Sequence, residues 1–221
     1  MPLTPDPMAY AEVRRAYDTV AADYAAYLPD TRAEARLDLA MVDAFADAVS
    51  TGEDPIVLDA GCGAGRLSRY VADRGCRTQG VDLSPGMIAM ARRDHPDLGF
   101  AVGSLTALPF ARDRFAGVLL WYSIIHTPPS GLAQVCREAA RVLRRGGHLL
   151  VGFQAGVGIR DVSAAYRGFG HEVRLERYCY SPDTVADHLE ATGLREVSRL
   201  VRRSLTAHER DDQAMLLARL G

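Results

Sequence analysis

The sequence contains no lysine, so all 26 of its lysine and arginine positions are arginines. A Schiff-base mechanism needs a lysine amine, and a P-loop needs a lysine that reaches the phosphates of a nucleotide. Both kinds of site are therefore excluded for this chain. The net charge of −2 and the isoelectric point near 6.3 give no general attraction to nucleic acid or to an anionic membrane. We expect neither as a partner.

Cysteines are few and scattered. The four of them, Cys62, Cys76, Cys136 and Cys179, form no CxxC pair, which argues against a zinc ligand set and against a dense disulfide framework. We therefore expect no metal. The first residues, MPLTPDPMAYAEVRR, lack an apolar signal core, and no run approaches the ~20 apolar residues of a membrane helix. These absences predict a cytoplasmic protein.

The hydrophobic content of 48% is enough for a full core, and the length of 221 residues predicts a single domain, 1–221. Residues 1–50 are expected to form a helical N-terminal cap. Strand and helix signals then alternate, with short apolar strands that indicate a parallel sheet covered on both faces. The first part of the segment 154–180, residues 154–171, is rich in glycine, and we expect the whole segment to be a lid or an acceptor-binding insertion. Expected strands are 56–60, 77–83, 100–104, 115–123, 148–153, 171–180, 195–203 and 214–220.

The stretch VLDAGCGAGRL, residues 57–67, is an apolar run that ends in three alternate glycines before a predicted helix. Such a loop lets a ligand approach the main chain without a Cβ in the way, although it can also be only a tight turn. Asp82 stands at the predicted end of the next strand, where a carboxylate can accept hydrogen bonds from ribose hydroxyls. The glycine loop and Asp82 together predict a nucleoside-containing ligand. A dinucleotide fingerprint would need a third glycine where Arg66 stands.

The segments VLDAGCGAGRLS and GVDLSPGMIAMAR resemble the first two motifs of the class I S-adenosylmethionine-dependent methyltransferases. LPFARDRFAGVLLWYSIIHTPP and RVLRRGGHLLVGFQ are similar to later motifs of that family. The resemblance implies a Rossmann-like α/β fold with a seven-stranded sheet, mostly parallel with an antiparallel seventh strand, and helices on both faces. It also implies in-line methyl transfer from S-adenosyl-L-methionine to a small organic acceptor, most simply at O or N, with S-adenosyl-L-homocysteine as product.

The resemblance also implies which residues contact the cofactor. The glycine loop would hold the methionine part, Asp82 the ribose, and Leu83 and Met87 the adenine. Ser104 stands where the family often has an aspartate. The tyrosines at 17 and 24 would cover the cofactor, or would be core aromatics on one helical stripe. The implied set is Tyr17, Tyr24, Asp59, Gly61, Cys62, Gly63, Gly65, Arg66, Asp82, Leu83, Met87, Gly103, Ser104, Leu105 and Trp121.

His126 follows the predicted fourth strand, at the edge of the sheet where open α/β proteins bind ligands. An imidazole there can accept a proton from an acceptor, and His126 is therefore the candidate catalytic residue. Alternatively, His126 caps the next helix or bonds a backbone carbonyl. Tyr122, His126, Gln154 and His171 are the expected acceptor-binding residues.

Two other functions share the strand, loop and helix of this motif. An NAD(P)-dependent oxidoreductase would also need an acidic residue at the ribose, but the chain has no Tyr-x-x-x-Lys set. A non-enzymatic nucleotide-binding module is the second alternative. The sequence leaves open whether the protein is a monomer or a homodimer.

Overall fold

A computed structural model describes residues 7–52, 54–168, 170–205 and 209–221, so the first six residues of the predicted cap lie outside the described residues. The strands are β1 Ile56–Ala60, β2 Arg77–Asp82, β3 Gly99–Val102, β4 Phe115–Trp121, β5 Leu143–Ala155, β6 Gly158–Asp161, β7 Glu176–Cys179, β8 Leu194–Arg202 and β9 Asp212–Leu220. The helices are α1 Pro7–Tyr27, α2 Arg36–Ser50, α3 Arg66–Ala72, α4 Pro85–Asp94, α5 Pro129–Val142, α6 Ser163–Arg167 and α7 Pro182–Glu190, with short 3-10 turns at Thr31–Ala33 and Ile124–His126.

Seven strands form one sheet in the order β3-β2-β1-β4-β5-β9-β8. The pairs from β3 to β5 are all parallel, whereas β9 runs antiparallel to both of its neighbours, β5 and β8. Strands β6 and β7 form a separate antiparallel pair. The predicted fold class, a mostly parallel seven-stranded sheet with one antiparallel strand, is confirmed.

Adjacent residues of β1 contribute to opposite faces of the sheet. Val57 packs with Phe45 of α2 and Val71 of α3. Leu58 packs in the other core cluster, with Leu132 of α5. Because successive side chains of a strand point to opposite faces, both faces of a central strand are buried only when helices cover both. The sheet therefore lies between two helical layers, and the ends of its strands are not covered by these layers.

Two predicted elements differ from the structure. Strand β5 begins at Leu143 rather than at residue 148, because Leu143 pairs with Phe115 before a register shift and Gly146 takes a φ of +74° within the strand. The predicted strand 171–180 is shorter, since β7 pairs only with the four residues of β6. The glycine-rich segment 154–171 contains β6 and α6.

Two helix starts follow the capping rule. The hydroxyl oxygen of Ser84 accepts a hydrogen bond from the amide of Met87, and that of Ser181 accepts one from the amide of Thr184. The first cap fixes α4 directly after Asp82, which keeps that carboxylate at the sheet edge. Among the described residues, none of the helices combines the length and the apolar character needed to span a bilayer.

Candidate active site

A cavity of about 1050 Å³, including its open mouth, lies at the carboxyl ends of β1, β2 and β4. Its floor is formed by the glycine loop after β1, and its roof by α1. Tyr10, Arg14, Tyr17 and Tyr24 of α1 all line it. Positions 10, 14 and 17 are spaced by four and three residues, which places their side chains on one face of the helix. The N-terminal helix therefore closes the ligand-binding edge of the sheet.

The glycine loop combines a close backbone approach with an open face. The amides of Gly61 and Cys62 both donate to the carbonyl of Val81, at 2.7 and 3.0 Å. Gly61 has a φ of +82°, and a Cβ on it would lie 2.2 Å from the Cβ of Ser123. Gly63 has a φ of +53°, and a Cβ on it would meet nothing within 4 Å although the residue lines the cavity. The α-carbon of Gly63 thus leaves free space for a ligand.

Asp82 is held by two backbone amides at the end of β2. One carboxylate oxygen accepts from the amide of Gly63 at 2.8 Å and the other from the amide of Ser84 at 2.9 Å. Burial raises the pKa of Asp82 above its usual value. A carboxylate has about four lone-pair positions, so each oxygen can still accept one more hydrogen bond. This orientation suits a vicinal diol such as that of a ribose.

Asp59, at the end of β1, is the second carboxylate of the cavity. It is 1% exposed, it accepts a hydrogen bond of 2.6 Å from the hydroxyl of Ser68, and burial raises its pKa to about 6. Arg66 lines the same region and forms an ion pair with Glu34. Since the arginine is already paired, two carboxylates remain to favour a cationic ligand beside the loop.

Residues at the end of β4 have polar atoms that lack partners. The indole nitrogen of Trp121 and the hydroxyl of Ser123 are buried without a hydrogen-bond partner, and both residues line the cavity. Tyr122 between them has a φ of +52°, a conformation uncommon for a large side chain, and its hydroxyl donates to Gln213 at 2.8 Å. Buried polar atoms normally have partners, so these two mark a place where a polar ligand is expected.

His126 is nearly buried, and both of its ring nitrogens have partners. Its Nδ1 lies 2.6 Å from the carbonyl of Glu176, and its Nε2 lies 2.8 Å from the hydroxyl of Tyr17. A carbonyl only accepts, so Nδ1 is the protonated nitrogen and the tyrosine hydroxyl donates to Nε2. Burial lowers the pKa of His126 to about 4. The geometry corresponds to the second alternative for this residue, a bond to a backbone carbonyl.

Most of the predicted site residues meet in this cavity. Those that line it are Tyr17, Tyr24, Asp59, Gly61, Cys62, Gly63, Arg66, Asp82, Leu83, Met87, Ser104, Leu105, Trp121, Tyr122 and His126. Gly65 and Gly103 do not. A Cβ on Gly65 would come within 2.9 Å of His95 and Phe100, and one on Gly103 within 2.9 Å of Pro109, so these two glycines allow close packing behind the loops.

Two predicted acceptor residues also lie outside the cavity lining. The Nε2 of His171 pairs with the carboxylate of Asp23 at 2.6 Å, which links the segment before β7 to α1. Gln154 faces Gln213 across the β5–β9 pair. Sequence reasoning did not assign Tyr10, Arg14 or Ser123 to the site, although the helical spacing from Tyr17 was a signal for the first two.

The lining fits S-adenosylmethionine, whose sulfonium and ammonium groups are positive and whose carboxylate is negative. The buried Asp59 and the half-buried Asp82 lie beside a loop with an open glycine face, and the unpartnered donors of Trp121 and Ser123 are available to polar groups of a ligand. Among the described residues, there is no group of three or more histidine, cysteine or acidic side chains arranged to hold a metal ion.

Comparison with known proteins agrees with this geometry. A family model described as a methyltransferase domain matches residues 57–147. A malonyl-[acyl-carrier protein] O-methyltransferase from Enterobacter lignolyticus is 33% identical over 122 residues, which cover 55% of this chain and 48% of that protein. A demethylmenaquinone methyltransferase from Renibacterium salmoninarum is 36% identical over 107 residues, 48% of this chain and 44% of that protein. The chain thus covers less than half the length of either relative.

A solved structure shows the same fold along the whole chain. The 1,6-didemethyltoxoflavin-N1-methyltransferase of Burkholderia thailandensis, with bound 1,6-didemethyltoxoflavin and S-adenosylhomocysteine, has a TM-score of 0.72 and 21% identity, and the match covers 100% of this chain and 92% of that one. At this identity the likeness supports the fold alone. None of these matches favours an NAD(P)-dependent oxidoreductase. The motifs, the sheet topology and the family model agree, and residues 57–147 of this chain are similar to a methyltransferase domain.

Proposed function

We propose that the protein transfers a methyl group from S-adenosyl-L-methionine to a small organic acceptor, at O or N, and releases S-adenosyl-L-homocysteine. The observation that supports this most is the open face of Gly63 inside a cavity that also contains Asp59 and Asp82. A dinucleotide site would need a glycine at the position that Arg66 occupies with its ion pair to Glu34.

In this proposal the cofactor lies along the sheet edge from β2 to β4. The two oxygens of Asp82 accept the ribose hydroxyls, while Leu83, Met87 and Leu105 enclose the adenine and Ser104 accepts from its amino group. The glycine loop and Asp59 hold the methionine part. When bound, the cofactor supplies an activated methyl group on sulfur, so the protein's main task is alignment, which is worth ~7–11 kcal/mol in well-oriented reactions.

The acceptor is proposed to bind where α1 faces the end of β4. Tyr122 and Tyr10 offer aromatic surface there, and Tyr17 is fixed by His126 and by edge-to-face contacts with Tyr24 and Tyr166, at centroid distances of 6.1 and 6.3 Å. In this arrangement His126 is a positioning residue. Gln154 and His171 have no part in the proposed acceptor site, since neither lines the cavity.

The remaining proposals concern the whole protein. We propose one methyltransferase domain over 1–221, with residues 1–50 as a cap and 154–180 as the lid or acceptor insertion. The segment 154–180 is linked to α1 and to the site by the His171–Asp23 pair and by the Glu176 carbonyl on His126. We further propose a cytoplasmic monomer or homodimer that acts on a small molecule and on neither nucleic acid nor membranes.

Calorimetric titration with S-adenosylmethionine, S-adenosylhomocysteine and NAD tests the proposal. We expect the first two to bind and NAD not to bind. Transfer of a labelled methyl group from S-adenosylmethionine to a panel of small acceptors tests the activity. Binding of NAD without any response to the two sulfur compounds would reverse the assignment.

A further inference from the structure

The acceptor end of the cavity has no free general base. This end comprises Tyr10, Val13, Arg14, Tyr122, His126 and Thr127, on α1 and after β4. Its imidazole has both nitrogens occupied, by the Glu176 carbonyl and by the Tyr17 hydroxyl, and its side chain is nearly buried. The Tyr122 hydroxyl donates its proton to Gln213. Within the described part of the chain, no carboxylate belongs to this set.

The carboxylates of the cavity are engaged elsewhere. Asp59 accepts from Ser68 beside the glycine loop, and Asp82 accepts from two backbone amides at the end of β2. Glu12 and Glu176 line a smaller, separate hollow, which shares only Val13 and His126 with the cavity. An acceptor placed between α1 and β4 therefore meets no group free to take its proton.

Tyr17 also cannot take a proton from the acceptor. Because its hydroxyl proton is directed to Nε2 of His126, its oxygen can accept a hydrogen bond but has no proton left to donate. A relay through Tyr17 would end on His126, whose pKa burial lowers to about 4 and which is therefore a poor proton acceptor at neutral pH. Tyr17 and His126 form a fixed contact surface, not a proton path.

Arg14 is the only charged side chain of the acceptor end, as far as the described residues extend. Its Nε lies 3.6 Å from Oδ2 of Asp18. Asp18 is engaged with α4, because it accepts from the hydroxyl of Ser84 at 2.6 Å and from the amide of Gly86 at 2.9 Å. The Arg14 side chain is 52% exposed, and its contact with Oδ2 of Asp18 is longer than a hydrogen bond, so the guanidinium is available at the mouth of the cavity for an anion.

From this arrangement, and on the basis of the proposed function, we infer that the acceptor is an organic anion that enters already ionised: a carboxylate, or the conjugate base of an acidic enol or phenol. Its charge is held by Arg14, and its organic part lies against Tyr10, Tyr17 and Tyr122. The electron pair of the anion forms the bond to the methyl carbon, and the pair of the broken sulfur–carbon bond returns to sulfur, which becomes a neutral thioether. No proton has to move, so no base is needed.

Matched probes test the inference on the full chain. Benzoate is compared with benzyl alcohol, and octanoate with 1-octanol, first by calorimetric binding to the enzyme loaded with S-adenosylhomocysteine and then by transfer of labelled methyl. We expect the carboxylates to bind and to be methylated at rates at least about 100-fold above the alcohols, because general-base help worth about 10²–10⁴-fold is lacking for the alcohols. Equal methylation of the alcohols, or no binding of either carboxylate, would overturn the inference.

Variants separate charge recognition from base catalysis. Arg14→Gln should weaken carboxylate binding about tenfold or more through loss of a charged hydrogen bond, with Arg15→Gln, exposed on the same helix, as the matched control. His126→Gln retains partners for Tyr17 and Glu176 but cannot act as a base. We expect it to lose less than about tenfold in rate and His126→Phe to lose more. A loss of about 100-fold or more in His126→Gln or in Glu12→Gln would reveal a general base and refute the inference.

These outcomes remain distinct from failure of the proposed function. If S-adenosylmethionine does not bind, methyl transfer itself is wrong. If it binds, and the alcohols or neutral amines react as fast as the carboxylates, only the nature of the acceptor is wrong. Carboxylate binding that survives Arg14→Gln unchanged would remove the role of that arginine and contradict the inference.

Discussion

Replacement of Gly63 by alanine separates ligand binding from folding. The added methyl group would meet no protein atom within 4 Å, because it would project into the cavity. The residue has a φ of +53°, which an L-residue adopts at a cost of roughly 1–2 kcal/mol. The variant should therefore fold with a modest loss of stability, and its main defect should be steric exclusion of the cofactor.

The two effects appear in different measurements. A loss of about 1 kcal/mol corresponds to a fall in melting temperature of roughly 2–4 °C for a chain of this size. Overpacking a filled site by one methyl group costs about 1–3 kcal/mol, which weakens binding by roughly 5- to 150-fold. The affinity for S-adenosylmethionine should thus fall by roughly 5- to 150-fold, while the free protein stays folded and melts only a few degrees lower.

Gly75→Ala is the matched control. Gly75 has a φ of +86° and also has nothing within 4 Å of an added Cβ, but it does not line the cavity. We expect similar melting temperatures for the two variants and an unchanged cofactor affinity, measured by calorimetry, for Gly75→Ala only. If Gly63→Ala binds S-adenosylmethionine as tightly as the unmodified protein, the cofactor does not lie against this glycine and the placement of the site is refuted.

Three further predictions concern neighbouring groups. Asp82→Ala should weaken S-adenosylmethionine binding at least about tenfold through loss of charged hydrogen bonds, and calorimetry showing unaltered binding would remove the ribose assignment. Gly61→Ala should fail to accumulate as folded protein, since its Cβ would lie 2.2 Å from that of Ser123, and a cooperative melting curve near that of the unmodified protein would contradict this. Burial raises the pKa of Asp59 from 3.8 to about 6, so this group lowers the free energy of unfolding by up to about 3 kcal/mol as pH rises from about 4 to 6. Burial lowers the pKa of His126 from 6.5 to about 4, so that group raises the free energy of unfolding over nearly the same pH range. In Asp59→Asn the free energy of unfolding should therefore fall more steeply on acidification, which denaturant titrations at several pH values would measure. An unchanged dependence of this free energy on pH would disprove the opposing effects of Asp59 and His126.

The local signals of the sequence predicted the sheet and the place of the cavity at its edge. Apolar runs marked the central strands, and the glycine loop with Asp82 marked the edge of the sheet where the cavity lies. These features depend on residues near one another along the chain, or on strands whose ends meet at one edge. Such patterns are visible in a single sequence.

The acceptor end depends on long-range contacts that no local pattern encodes. The tautomer of His126 is set by the carbonyl of Glu176, 50 positions away, and the imidazole's other partner, Tyr17, lies 109 positions away. The burial that keeps this histidine neutral arises only when α1 packs over β4. The sequence therefore indicated a histidine at the edge of the sheet but could not decide between a free base and an imidazole with both nitrogens bonded.

The group that orients the imidazole belongs to the main chain, so every amino acid at position 176 would present it equally. The side chain at position 176 can therefore change without removing the group that orients the ring. A substitution there would leave the tautomer of His126 and its bond to the Tyr17 hydroxyl as they are.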